Sequence, residues 1–312
     1  MIRKILKYTG IILLSVIVLL VVVILLRQDM TYDAPYPTVS ASTDSAIIAR
    51  GKYLVYGPAH CADCHIDPSK SDSVKAGFEV QLTGNLPFEL PVGTFYTRNI
   101  TPDKETGIGN WTDPELARAF RYGVKRDGRV LFDFMPFHDA SDEDLTAIIS
   151  FLRSQKPVHH KVPDHEINLM GRVVKAFLIK PVGPSGEVPR AVKKDTSAAY
   201  GKYLTWSIAN CRGCHTPRDF MTGEYIGEEF AGGSDIEGYT TANLTPHKTG
   251  RIYGWTAEKF IQRFREGRKI PKSPMPWNSF SKISDDELRA IYNYLQTLKP
   301  VPTKIETQLA KQ

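Results

Sequence analysis

The chain has 312 residues, 42% of them hydrophobic and 24% charged, which suits about two folded domains and excludes a disordered chain. Its formal charge of +6 is concentrated: Arg3, Lys4, Lys7 and Arg27 all flank one apolar segment, and what remains is too slight to support a nucleic-acid partner. All four cysteines fall inside two C-x-x-C-H motifs, which excludes a disulfide framework.

The first element is that apolar segment, which runs almost unbroken from Ile11 to Leu26. With Tyr8 to Gly10 included, residues 8–26 at ~1.5 Å each span roughly 28 Å, close to the thickness of a bilayer core. A cleaved signal peptide is the rival reading. Cleavage wants a shorter core ending in small residues, whereas Leu25-Leu26-Arg27-Gln28-Asp29 follows here. Residues 1–30 are therefore expected to be a transmembrane anchor. The basic residues before the span keep its amino terminus cytoplasmic and place the rest of the chain in a periplasm-like space.

Beyond the anchor the chain is a repeat. Gly51-Lys52-Tyr53-Leu54 returns as Gly201-Lys202-Tyr203-Leu204, and Asn99-Ile100-Thr101-Pro102 as Asn243-Leu244-Thr245-Pro246. Trp111-Thr112 returns as Trp255-Thr256, Met135-Pro136 as Met275-Pro276, and Lys156-Pro157-Val158 as Lys299-Pro300-Val301. The distance between partners shrinks from the cysteines to the methionines, so the first copy is expected to carry two insertions, in Ile66 to Gly93 and in Val124 to Phe134. The expected organisation is a first domain over 40–157, a linker over 158–196 and a second domain over 197–303.

Each copy is expected to hold three helices. The first, Ser45 to Tyr56 or Ser197 to Ser207, leads into the cysteines. The second starts at Thr112, where Glu115 completes a capping box, and stops at Gly123; its counterpart runs from Thr256 to Gly267. The third starts at Ser141 or Ser284, the latter again read as a capping box with Glu287, and sets Leu145, Ile148, Ile149 and Leu152 on one face. No useful stretch alternates as a strand does, so the reading is all-helical. A short apolar helix over Ile167 to Leu178 in the linker is expected to pack across the two copies.

The chemistry lies in Cys61-Ala62-Asp63-Cys64-His65 and Cys211-Arg212-Gly213-Cys214-His215. Two thiols three residues apart in a helical turn can each add to one haem vinyl group, and the next histidine then faces the iron. A redox dithiol would want a strand–helix context of the thioredoxin kind, and a zinc site would need the two distant pairs to converge. The pattern predicts two covalently bound haem c groups. For the sixth ligand, only Met135 and Met275 among the six methionines occupy matching places. Met170 and Met221 are expected to be core filler. Histidine is the competing ligand type; His138 faces Asn278 in the other copy and reads as a surface or propionate-side residue. Asn99, Trp111, Asn243 and Trp255 also recur at fixed places, with two readings open: cofactor contact at a haem propionate, or loop capping and core packing.

The run from Asn99 to Trp111, then Met135-Pro136 and Ser141-Asp142-Glu143-Asp144-Leu145, resembles the cytochrome c subunits of membrane-bound alcohol, aldehyde and gluconate dehydrogenases, with likeness from Ala46 to Val301. The resemblance implies an all-α fold in which a transmembrane helix precedes two tandem class I cytochrome c domains. It also implies His65 with Met135 on one iron and His215 with Met275 on the other. The expected function is that of an electron-transfer protein, not an enzyme, in a respiratory chain. A dihaem cytochrome tethered to the inner membrane would carry electrons in the periplasm from a dehydrogenase or quinol-oxidising system to a terminal oxidase or soluble carrier. The alternative is a dihaem peroxidase, in which one haem keeps an open site.

Overall fold

A computed structural model describes residues 1–135, 137–219, 224–271 and 273–303. Pro136 of the first methionine turn and Met221 lie outside the described residues. Among those described, one helix is long and apolar enough to cross a membrane: α1 (Ile2–Arg27), which buries none of its side chains.

In the first half, α2 (Ser45–Tyr56) begins where the Asp44 carboxylate accepts the Ala46 and Ile47 amides, the usual cure for unpaired amides at a helix start. A short 3-10 turn over Cys61–Asp63 follows, then a second 3-10 turn and α3 (Ser71–Lys75). Next come strands β1 (Pro87–Leu90) and β2 (Gly93–Tyr96), α4 (Asp113–Tyr122) and α5 (Asp142–Ser154). The connecting stretch holds β3 (Glu166–Ile167) and α6 (Leu169–Phe177). The second half contains α7 (Ala198–Tyr203), continued by a π turn over Leu204–Ile208, and α8 (Cys211–His215). The two-residue strands β4 (Asp235–Ile236) and β5 (Tyr239–Thr240) follow, then α9 (Ala257–Arg265), α10 (Trp277–Phe280) and α11 (Asp285–Gln296).

The fold is thus mostly helical but not purely so, which corrects the all-α expectation. β1 and β2 pair antiparallel, β3 extends β2, and β4 pairs with β5. Strands of two to four residues are too short to show an alternating pattern in sequence. β1 and the first residue of β2 lie in the stretch read as the first insertion. The second insertion forms a turn in which Val124 bridges Val130, and its rim catches the chain leaving α1: Thr31 bridges Arg129, and the Tyr32 amide donates to the Gly128 carbonyl at 2.8 Å.

The repeated glycine has a clear cause. A Cβ on Gly51 would overlap the carbonyl of Ala147, where α2 crosses α5 backbone to backbone. Gly201 stands in the same relation to Ala290, where α7 crosses α11. Only glycine lets two helices approach so closely. These crossings organise one apolar core that includes Leu54, Leu145 and Ile148 from the first half with Leu204, Leu288 and Ile291 from the second.

The halves are joined across a near-symmetric polar seam. Tyr53 hydroxyl donates to Glu287 and accepts the Ser284 amide at 2.8 Å; Tyr203 hydroxyl donates to Asp144 at 2.9 Å and accepts the Ser141 amide at 3.1 Å. Between them Arg50 holds Asp144 and Glu287, each at 3.0 Å, and Tyr200 donates to Glu287 at 2.8 Å. Burial works against the charge on Arg50, but the two carboxylates outweigh it and hold the guanidinium protonated. The three tyrosines of the seam, Tyr53, Tyr200 and Tyr203, are pushed up by burial and by the adjacent carboxylates, so they stay neutral donors.

Two local expectations change here. The box at Thr112 is complete, with Glu115 returning to the Thr112 amide at 2.7 Å. At Ser284 only half of it forms: Ser284 accepts the Glu287 amide, but the Glu287 carboxylate has turned to the seam and Tyr53 takes the Ser284 amide instead. Helix α6, expected to pack across the halves, lies instead on the end of α1 and on the β1–β2 hairpin, where Gly171 fits against the Val92 carbonyl. The halves are bridged by the following segment, as Pro189 and Arg190 carbonyls accept the Asp142 and Glu143 amides at the start of α5.

Candidate haem sites

Each C-x-x-C-H motif begins after a residue in the left-handed region: His60 at φ 41° and Asn210 at φ 49°. Histidine and asparagine are among the side chains that tolerate that backbone. It turns the chain from the preceding helix into a tight coil, so that both thiols of a motif lie on one short turn. All four cysteines are free thiols. Burial first, with neighbouring sulfur or carboxylate charge adding to it, pushes Cys61, Cys64 and Cys211 up to about 12. Surroundings that disfavour a thiolate suit the neutral sulfur of a thioether. Among the described residues no group of three or more His, Cys, Asp or Glu gathers to hold a metal ion.

The histidines carry the sharpest geometry. His65 donates from Nδ1 to the Arg98 carbonyl at 2.7 Å, and His215 from Nδ1 to the Ala242 carbonyl at 2.8 Å. A carbonyl can only accept, so Nδ1 bears the proton and Nε2 keeps its lone pair. Burial pushes both imidazoles below the usual histidine range, only partly offset by the carbonyl bond, so each is neutral. A neutral imidazole with Nδ1 tied to backbone is how proteins orient a metal ligand.

Met135 and Met275 are half-buried and, like Cys61, Trp111, Cys211 and Trp255, pack against the apolar core. Both sit in the same backbone turn: the Phe137 amide donates to the Met135 carbonyl at 2.9 Å, and the Trp277 amide to the Met275 carbonyl at 2.8 Å. The residues present fit a covalent haem in each half: two neutral sulfurs, one imidazole with a free Nε2, and one thioether in the surrounding core.

His138 is neither a surface residue nor available to iron. It is buried, with Nδ1 bonded to the Arg121 carbonyl at 2.8 Å and Nε2 to Asp133 at 2.9 Å. Met170, expected in the core, is 53% exposed.

Asn99 and Asn243 are buried and work on the loops. The Asn99 amide donates to Thr106 Oγ1 and the Val158 carbonyl while its oxygen accepts from Thr101; Asn243 does the same with Thr249, Val301 and Thr245. Both amide hydrogens of Asn99 are therefore taken by the protein, and the propionate reading has no donor left there. The effect on the site is indirect. Each asparagine immediately follows the carbonyl that receives the histidine, so it holds Arg98 or Ala242 in place. Those carbonyls escaped sequence reasoning because every residue has one; the repeated asparagine beside them was the available signal. Trp111 and Trp255 are half-buried against the core, and among the described residues their indole N–H groups have no hydrogen-bond partner.

The two motifs are not equivalent in their surroundings. Asp63, inside the first, accepts a hydrogen bond from Ser279, just beyond Met275, and His60 lies edge-on to Phe280 at 5.3 Å. The first attachment motif thus rests against α10, the helix that follows the methionine turn of the second half. Burial and then the Asp63 and Glu237 carboxylates push the Cys64 thiol up; at Cys214 burial again leads, with Arg218 opposing it and Glu237 adding to it.

Comparison with known proteins agrees with this arrangement. Residues 198–299 match the family model of cytochrome c. That segment is a cytochrome c domain. The chain is similar over 82% of its length to the gluconate 2-dehydrogenase cytochrome c subunit of Pantoea cypripedii, at 31% identity over 281 residues, and covers 60% of that relative. It is 30% identical over 287 residues to the cytochrome c subunit of the quinone alcohol dehydrogenase of Gluconobacter oxydans, covering 83% of this chain and 56% of the relative. A dihaem c-type cytochrome of Cereibacter sphaeroides is 26% identical over 262 residues, 81% of this chain and 86% of the relative. The chain therefore resembles the cytochrome c subunits of membrane dehydrogenases, and spans well under two thirds of the two dehydrogenase subunits. The cytochrome c match over 198–299 implies covalently bound haem c in that segment.

Proposed function

We propose that the protein is a membrane-tethered dihaem cytochrome c with two tandem haem domains, over 40–157 and 197–303, facing the periplasm from the inner membrane. The observation that carries this reading is the histidine geometry repeated in both halves, His65 on the Arg98 carbonyl and His215 on the Ala242 carbonyl. A single haem would require this in only one half. Cys61, Cys64, His65 and Met135 would hold the first haem, and Cys211, Cys214, His215 and Met275 the second. Bound there, haem supplies a one-electron Fe(II)/Fe(III) couple. His65 with Met135, and His215 with Met275, would be the chain's ligands to the iron, and the methionine sulfur would help set the potential.

Electrons would pass from a dehydrogenase or quinol-oxidising system to a terminal oxidase or soluble carrier. The contact of Asp63 with Ser279 supports exchange between the two centres, because it brings one attachment motif against the helix that follows the other methionine. The named relatives support a dehydrogenase as donor.

The test is haem stoichiometry and spin state in the full chain. Two haems per polypeptide by pyridine haemochrome assay, both low-spin in the ferric EPR spectrum and both reversibly reducible, are expected. A single haem per chain overturns the dihaem reading. A high-spin ferric haem with peroxide turnover replaces it with the peroxidase.

A further inference from the structure

We infer that α6 is a second membrane contact, an amphipathic helix that lies in the bilayer surface beside the anchor and fixes how the haem-bearing halves sit over the membrane. This rests on the reading of α1 as a membrane anchor.

The first observation is the face that α6 presents. Leu169 is 71% exposed, Met170 53%, Val173 37% and Phe177 40%. At 3.6 residues per turn these four side chains fall within an arc of about 100°. Gly171 is buried on the opposite side, and Val174 and Ala176 are buried on the two flanks of the arc. The helix cannot roll to hide its apolar arc. Gly171 is seated against the Val92 backbone, and the Asn168 side chain both accepts the Gly171 amide at 2.9 Å and donates to the Pro91 carbonyl at 2.8 Å. An apolar stripe held outward by backbone contacts on its far side calls for an occupant.

The second observation names the occupant. α6 packs on the end of α1, where that helix leaves the hydrocarbon. Arg27 Nε donates to the Ala176 carbonyl at 3.1 Å, the Arg27 guanidinium lies 5.5 Å from the Phe177 ring centroid, and Asp29 pairs with Lys175 at 2.9 Å. The exposed stripe is therefore at the depth where headgroups meet acyl chains. Arg172 and Lys180 are exposed beside it, cations placed for anionic headgroups. An interfacial helix of this kind, with apolar side chains on one face and basic ones flanking it, binds by burying its stripe below the headgroups.

The test uses the full-length protein with one added cysteine, L169C, V173C or F177C, since haem attachment consumes the native four. Each is reconstituted in vesicles of phosphatidylethanolamine and phosphatidylglycerol and treated with a water-soluble maleimide. Y253C, at a site 58% exposed in the second half, is the reference, and rates in denatured protein correct for intrinsic reactivity. Labelling of the α6 cysteines at least about tenfold slower than Y253C, at every protein-to-lipid ratio, is expected for side chains below the headgroups. Labelling as fast as Y253C, in protein that alkaline carbonate leaves in the membrane, overturns the α6 contact while the anchor stands. Protection that vanishes on dilution in lipid marks contact with a second copy, and protection in native membranes alone marks a protein partner; either overturns the inference. Release of the protein by carbonate overturns the anchor itself.

Discussion

Arg50 and Glu287, one from each half of the repeat, meet at 3.0 Å between Nη1 and Oε1. The same guanidinium reaches Asp144 at 3.0 Å, and both carboxylate side chains are nearly inaccessible, at 1% for Asp144 and 7% for Glu287. One cation thus neutralises part of the charge carried by the starts of two helices, α5 and α11. Removing one member of such a group leaves the others buried without compensation, which costs far more than the pair contributes relative to an apolar replacement.

Replacing Arg50 with Met is expected to destabilise the holo-protein by about 3–5 kcal/mol, the typical penalty for an orphaned buried charge. Denaturant unfolding followed by tryptophan fluorescence measures it. R50M combined with E287Q should recover part of the loss. A single variant as stable as the parent would show that the seam contributes nothing.

Gly51→Ala and Gly201→Ala place a methyl group into the carbonyls of Ala147 and Ala290. Forcing crossing helices apart is expected to cost about 1–3 kcal/mol or more. The fall in thermal midpoint should be similar for the two variants, since the crossings are alike. A neutral Gly201→Ala beside a damaging Gly51→Ala would sink the equivalence.

Exchange of the methionines tests the ligand assignment one site at a time. Met135→His or Met275→His should keep both haems low-spin and lower one of the two midpoint potentials, because methionine favours the reduced iron relative to histidine. A spectroelectrochemical titration reads both potentials. If M135H leaves both unchanged, Met135 is core filler and the sixth ligand lies elsewhere.

His165 gives the segment before α6 a pH dependence. Burial first, then the nearby Arg98 and Lys125 cations, push it down to about 4, and its Nδ1 accepts the Tyr96 amide at 3.2 Å. Only the neutral ring can accept. With the folded value below the unfolded one, stability from this group is complete above the ordinary histidine range near ~6.5 and is lost as pH falls toward 4. Amide exchange at Tyr96 and across β2–β3 should accelerate over that window. In H165N, which retains an acceptor without a titrating ring, the acceleration should be absent; if it persists, another group is responsible.

Much of the molecule is readable from local chemistry. The apolar helix α1, the two C-x-x-C-H motifs, the repeat with its methionine turns, and the Thr112 box depend on residues close in sequence, whose geometry follows from short-range covalent and hydrogen-bonding rules. The repeated Gly51 and Gly201 were visible as a pattern, though their cause, two backbones in contact, was not. What the tertiary structure alone decided are pairings between distant segments. Glu287 satisfies every local condition for a capping box, yet its carboxylate goes to Arg50 and Tyr53, because a buried cation from the other half outcompetes a solvent-facing amide. Asn99 looked as well placed for a cofactor as for a loop, and only the tertiary structure shows its amide on Thr106 and the Val158 carbonyl. The outward stripe on α6 was present in sequence as an apolar helix that promised a core position. Burial is a property of what surrounds a helix, and here the surroundings are the end of α1 and, on the reading given above, lipid.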